Sequence, residues 1–421
     1  MKNKKRLSEI ILFKRREHKN FIKRKKQLRR KKKRKKTTNL IKFLKDKNFI
    51  KKRKIRKIRK NKNHIKIPKN FSLIQNPDES IKTLKEIFYI GLNQKVQDIY
   101  IEHQNLANLD ICASTIMDVI IMEIEKFRKN IIGNDFSISG VVDCNEKIKE
   151  MLEVSGILKH LKFKVEVPEH IHKLELIECE EQGIVSTKVT DYINECLKEH
   201  EFELSREGYG YFSEMVGEVI DNCKIHGGKF TKWYTLGHYS MKNDIGECSL
   251  VIFNFGDTIY ENLKYGKITE ETKQSLEKMT KYYEDQFDKN LWSEETLWTL
   301  YSLQDGVSRF RDSKISPDRG TGTVTFIDSF QKIGKTINKK KPLMSITSGK
   351  VSILFDGKYS LKVSDKKNED RKIIAFNKEN DLYKLPDENN VRALKNGFPG
   401  TVISMNFYLD KKYLINIMEE N

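Results

Sequence analysis

The 421-residue sequence predicts a mixed α/β protein in three parts: a basic arm over 1–67, a small α/β domain over 68–170 and a larger α/β domain over 171–421. Three observations carry this. Residues 1–68 hold 33 Lys and Arg against Glu9, Glu17 and Asp46, so the chain is net negative after Pro68 although its total charge is +22. Between Asp78 and Leu161, strand-like alternation takes turns with helical stripes. From Ser205 onward a long amphipathic helix precedes several apolar runs separated by polar and glycine turns.

The arm contains Lys23-Arg24-Lys25-Lys26, eight successive cations from Arg29 to Lys36, and Lys51 to Lys60 interrupted by two isoleucines. Like charges at this density repel and cannot bury enough apolar surface to fold alone. The expectation is a flexible or locally helical arm that orders on DNA or RNA, with strongly salt-dependent affinity. Few aromatics interleave the charges, so bases are not read. A solubilising tail is the plain alternative. The six cysteines (Cys112, Cys144, Cys179, Cys196, Cys223 and Cys248) form no C-x-x-C or Cys/His cluster, which fits a reducing, cytoplasmic setting. No apolar run approaches the ~20 residues that span a bilayer.

In the small domain the pattern predicts helix over Asp78 to Gly91, strand over Val96 to Glu102 and helix over Asp110 to Lys129. Strand over Phe136 to Val142, helix over Asn145 to Glu153 and a turn over Gly156 to Leu161 follow. This order, with "IYIEHQNLANLDICASTIMDVIIMEI" and "FSISGVVDCNEKIKEMLEVSGI", resembles the STAS-like domains of anti-sigma-factor antagonists. That family can carry a phosphorylated serine in a D-S-S-G turn. Here the stretch reads Leu109-Asp110-Ile111-Cys112-Ala113-Ser114, without the acceptor in its place, so the resemblance implies an interaction or dimerisation module.

In the larger domain Phe212, Met215, Val216, Val219 and Ile220 form one buried helical stripe. Glu218, Asn222 and His226 recur at i, i+4 and i+8, which stacks three polar side chains along another edge. Strand over Phe230 to Ser240 and an apolar run from Leu250 to Phe253 lead into Asn254-Phe255-Gly256-Asp257-Thr258-Ile259, where Gly256 removes a side chain that would block a planar ring. Farther on, Arg319-Gly320-Thr321-Gly322-Thr323 opens a helical pattern, and bare N–H groups at such a start can cradle phosphate. Strands over Met344 to Ser348, Val351 to Phe355 and Tyr359 to Val363 precede Pro399-Gly400-Thr401 and a last alternating strand, Val402 to Leu409.

"EVIDNCKIHGG", "VIFNFGDTI", "RGTGTVTF" and "FPGTVISMNF", in that order, resemble the N-box, G1 box, G2 box and closing strand of the GHKL ATPases (gyrase, heat-shock chaperone, mismatch-repair ATPase and histidine kinases). The resemblance implies a two-layer α/β sandwich of the Bergerat type that binds ATP. By it Asn222 ligates Mg²⁺, Glu218 orients or deprotonates the attacking water, and His226 contacts phosphate or caps its helix. Gly320, Thr321, Gly322 and Thr323 would hold phosphate, and Thr401 of the closing strand joins the nucleotide contacts. The G1 box departs from D-x-G-x-G. Asn254 stands for the aspartate that accepts from the adenine amino group, its amide oxygen able to take the same bond. Gly256 is kept, and Thr258 replaces the second glycine and narrows the pocket.

Tyr260 to Asp318 would form a long lid over the site, with Arg309, Arg311 and Lys314 either reaching phosphate or solvated. Gly334-Lys335-Thr336 is not a P-loop, because Ser329 replaces the first glycine. The expected function is a Mg·ATP-dependent switch whose arm contacts nucleic acid, in bacterial regulation or defence, with an unidentified protein or a second copy of the chain as further partner. A serine or histidine protein kinase of the anti-sigma type and a non-catalytic adaptor are the alternatives.

Overall fold

The computed structural model describes residues 63–93, 96–132, 136–165, 167–168, 170–179, 181–226, 232–242, 244–287, 292–304, 307, 322–332, 340–363 and 372–420. Almost all of the basic arm, together with Gly320 and Thr321, lies outside them.

The first described elements form a small parallel sheet of strands β1 (His64–Lys66), β3 (Asp98–Glu102) and β5 (Ser137–Val141), in the order β1-β3-β5. The basic arm therefore ends before residue 67, since Ile65 is buried in strand pairing with Ile101. Strand β2 (Asn70–Phe71) pairs with β4 (Asn108–Leu109). Helix α1 (Pro77–Gly91) has Pro at its start and acidic residues in its first turn, as an N-terminus prefers. Helix α2 (Ile111–Phe127) is capped by Asp110, which accepts from Ala113 N, and is buried around almost its whole circumference. Two short helices, α3 (Glu146–Ser155) and α4 (Ile157–His160), close the segment.

The larger sheet is wholly antiparallel. Its strands are β6 (Ile171–Glu178), β7 (Trp233–Lys242), β8 (Ile245–Asn254), β9 (Leu343–Phe355) and β12 (Val391–Asp410), in the order β6-β7-β8-β12-β9. Short strands β10 (Lys362–Val363) and β11 (Lys372–Ile373) pair between β9 and β12 in the chain. One face is covered by helices α5 (Gln182–Lys198), α6 (Arg206–His226), α7 (Ile259–Tyr265), α8 (Glu270–Tyr283), α9 (Glu294–Tyr301) and α10 (Gly322–Lys332), and α11 (Lys411–Glu420) follows β12.

The opposite face of this sheet is not open. Tyr234, Leu236, Val251, Phe253, Phe255 and Val402 join one core with Ile81, Leu84 and Phe88 of α1 and Ile116, Val119 and Ile120 of α2. A helix apolar on all sides needs apolar neighbours on all sides, and α2 has them. Arg392 donates to Ile74 O at 2.7 Å, and Asn396 N donates to Asp78 Oδ1 at 2.8 Å, fixing β12 to the start of α1. The apolar sides of α2 are thus covered within the chain.

The segment expected as a lid is, across its described residues, partly exposed and partly anchored in the core. Met279 and Tyr283 of α8, Leu297 and Leu300 of α9, and Leu303 share one core with the sheet. Arg309, Arg311 and Lys314 lie outside the described residues.

Candidate functional site

A cavity of about 140 Å³ lies between α6, α7, α10, the end of β8 and the bodies of β9 and β12. Glu218, Asn222, Asn254, Thr323 and Thr401 all line it. These five come from segments up to 183 residues apart in sequence, and the fold brings them to one place.

Helix α6 delivers the first two. Met215, Val216, Val219, Ile220 and Cys223 are buried against the sheet, and that stripe turns Glu218 and Asn222, one turn apart, to the cavity. Glu218 is exposed and Asn222 half-buried, a graded edge suited to a polar ligand entering from solvent. His226 is the last residue of α6, and its side chain lies outside the described part. Gly322 begins α10, and Thr323 after it faces the cavity.

The floor is set by the sheet register. Asn254 ends β8 directly opposite Thr401 on β12, and Thr401 in turn faces Ser348 on β9. Thr401 and Ser348 join their hydroxyls at 2.9 Å, and Ser348 Oγ accepts from Ile259 N at the start of α7, also at 2.9 Å. Gly400 is required here. Its φ is +140°, and a Cβ on it would stand 2.1 Å from Asn254 O.

Asn254 is 1% exposed, and its amide binds three strands of chain together. Its Oδ1 accepts from Gly256 N at 2.9 Å and from Thr401 N at 3.3 Å, while Nδ2 donates to Cys223 O at 3.1 Å. The oxygen expected to accept from adenine therefore already has both lone pairs engaged.

Gly256 and Thr258 also depart from expectation. Neither lines the cavity, and both border a separate groove with Glu295 and Lys350. Thr258 caps α7, its side chain accepting from Glu261 N while Glu261 accepts from Thr258 N, so its hydroxyl is held by its own helix and does not narrow the pocket.

Sequence reasoning did not anticipate the polar Asn262, nor Ile259, Leu263, Phe326, Ile346 and Ile403, which supply most of the apolar wall. The helical pairing of Ile259 with Leu263 was the available signal. Cys223 also lines the wall, but burial pushes its thiol up to about 12, partly offset by the Asn254 amide, which makes it an inert wall residue and no nucleophile.

Among the described residues no group of three His, Cys, Asp or Glu could hold a metal ion. The one hard oxygen offered by Asn222 fits only an ion that takes its remaining ligands from phosphate and water, as Mg²⁺ does. Asn254 does not offer the acceptor that adenine would use. No family model, curated protein or solved structure matches the chain. No helix among the described residues is long and apolar enough to cross a membrane.

Proposed function

We propose that the protein is a Mg²⁺-dependent nucleoside triphosphate switch of the GHKL class, with a Bergerat-type larger unit built onto a STAS-like one. The observation that carries this is the convergence of Glu218, Asn222, Asn254, Thr323 and Thr401 on one cavity with apolar walls. ATP is the nucleotide that the resemblance names.

Asn222 is the residue that would hold the ion, whose charge would offset that of the phosphates. Glu218 lies one turn earlier on the same helix edge, where it can accept a hydrogen bond from water and take its proton. Thr323, at the first turn of α10, faces the phosphates beside N–H groups with no helical partner. Such chemistry needs positioning and charge more than many catalytic groups. The basic arm contacts nucleic acid through its phosphates, in bacterial regulation or defence.

Calorimetric titration with Mg·nucleotide tests the site. Asn222→Ala should lose Mg²⁺-dependent binding, and Glu218→Ala should keep binding while phosphate release falls by roughly 10²-fold or more. Wild-type binding in Asn222→Ala would remove the reading. Labelled γ-phosphate appearing on a protein in place of solution would favour the kinase alternative. Deletion of residues 1–62, which spares β1, should abolish salt-sensitive DNA or RNA binding.

A further inference from the structure

The orientation of the Asn254 amide is fixed by its three partners. Rotating it by half a turn would set NH₂ against the N–H groups of Gly256 and Thr401, and oxygen against Cys223 O. All three contacts would become repulsive, so the observed arrangement is the only satisfied one.

What Asn254 leaves for a ligand is consequently a donor. Both lone pairs of Oδ1 are taken, and one N–H of Nδ2 goes to Cys223 O. The other N–H meets the Cys223 thiol, a weak acceptor on the same cavity wall that a ligand oxygen would replace. An aspartate there would present an acceptor on that side, and the amide presents its opposite.

We infer that the site selects a 6-oxopurine nucleotide, carrying guanine or hypoxanthine, over an adenine nucleotide. The inference rests on the reading of the cavity as a nucleoside triphosphate site. A 6-oxo group accepts from Nδ2 and completes its hydrogen bonding. A 6-amino group meets N–H with N–H, which leaves a desolvated donor on each side of the contact. A site built around such a polar contact rejects the mismatched analogue strongly.

The test is calorimetric titration of the full chain with ATP, GTP and ITP in Mg²⁺. GTP and ITP should bind alike and about 10- to 100-fold more tightly than ATP. ATP binding as tightly as or more tightly than GTP would overturn the base assignment and leave the triphosphate reading standing. GTP binding tightly with ITP as weak as ATP would assign the preference to the 2-amino group and also overturn it. If none of the three binds, the triphosphate reading itself falls, and the base assignment with it. In Asn254→Asp the preference should move to ATP, and retained GTP preference in a folded Asn254→Asp protein would overturn the inference. Thermal unfolding establishes that this variant folds, and if it does not, the wild-type ratios decide.

Discussion

Replacing Asn254 by alanine should be among the most destabilising single changes near the cavity. The side chain is 1% exposed, so water does not replace the bonds it loses. Cys223 O, Gly256 N and Thr401 N each lose a partner, at 3.1, 2.9 and 3.3 Å. An unsatisfied buried polar group costs ~1–3 kcal/mol. Placing the long Thr401 contact at the low end gives a total of about 3–5 kcal/mol. For a domain of this size that corresponds to a fall in melting temperature on the order of 10 °C. Urea and thermal unfolding followed by circular dichroism measure it. Thr401→Val is the matched control, because it keeps the backbone N–H and removes only the hydroxyl bond to Ser348, for a cost of about 1 kcal/mol. A loss below ~1 kcal/mol in Asn254→Ala would refute the idea that this amide ties helix α6, the turn after β8 and strand β12 together.

Gly400→Ala combines φ +140° with a Cβ 2.1 Å from Asn254 O, so β12 must shift, and a loss of ~2–4 kcal/mol in urea unfolding with weakened nucleotide binding is expected. His103 and His238 are buried, and burial holds each near a pKa of about 4. The unfolded chain, titrating near 6.5, takes up their protons first, so stability should fall as pH drops from about 6.5 to 4, by about 3 kcal/mol per histidine; His238→Phe should flatten part of this acid limb. For His160 burial opposes the charge, but bonds to Asp118 and Glu125 outweigh it and raise the pKa to about 9. Its contribution is full below about pH 6.5 and lost as pH climbs to 9, and His160→Gln should remove that alkaline decline in a pH series of melts. Residues 171–421 expressed alone should bind a hydrophobic dye and aggregate, because Tyr234, Val251, Phe253 and Val402 lose their cover.

Helix α6 could be read from sequence because its 3.6-residue stripe is set by burial on one side only, and the same periodicity placed Glu218 and Asn222 together. Asn254, Thr323 and Thr401 lie far apart in the chain, and they meet at one cavity through the register of β8 with β12 and the packing of α10. The direction of the Asn254 amide could not be read from sequence, since it depends on Cys223 O and Thr401 N, brought near only by tertiary folding. Strands β1, β2 and β4 are two or three residues long and exist through pairing, which local pattern does not encode. Helix α5 carried a usable signal in Val185, Val189, Tyr192, Ile193 and Cys196. So did α2, where apolar residues run around the whole helix and imply a second neighbour beyond its own small sheet.

The shared core also sets an order of events during synthesis. Helix α2 leaves the ribosome with two apolar faces, yet Val402, a member of the same core, lies about 290 residues later in the chain. At ~5–20 residues per second that interval lasts roughly 15–60 seconds. Strand β12, made after every other strand of this sheet, is inserted between β8 and β9 rather than added at an edge. The nascent protein must therefore hold a gap in its central sheet, and an uncovered helix face, until β12 has been made. Its need for a chaperone should be set by where β12 sits in the gene.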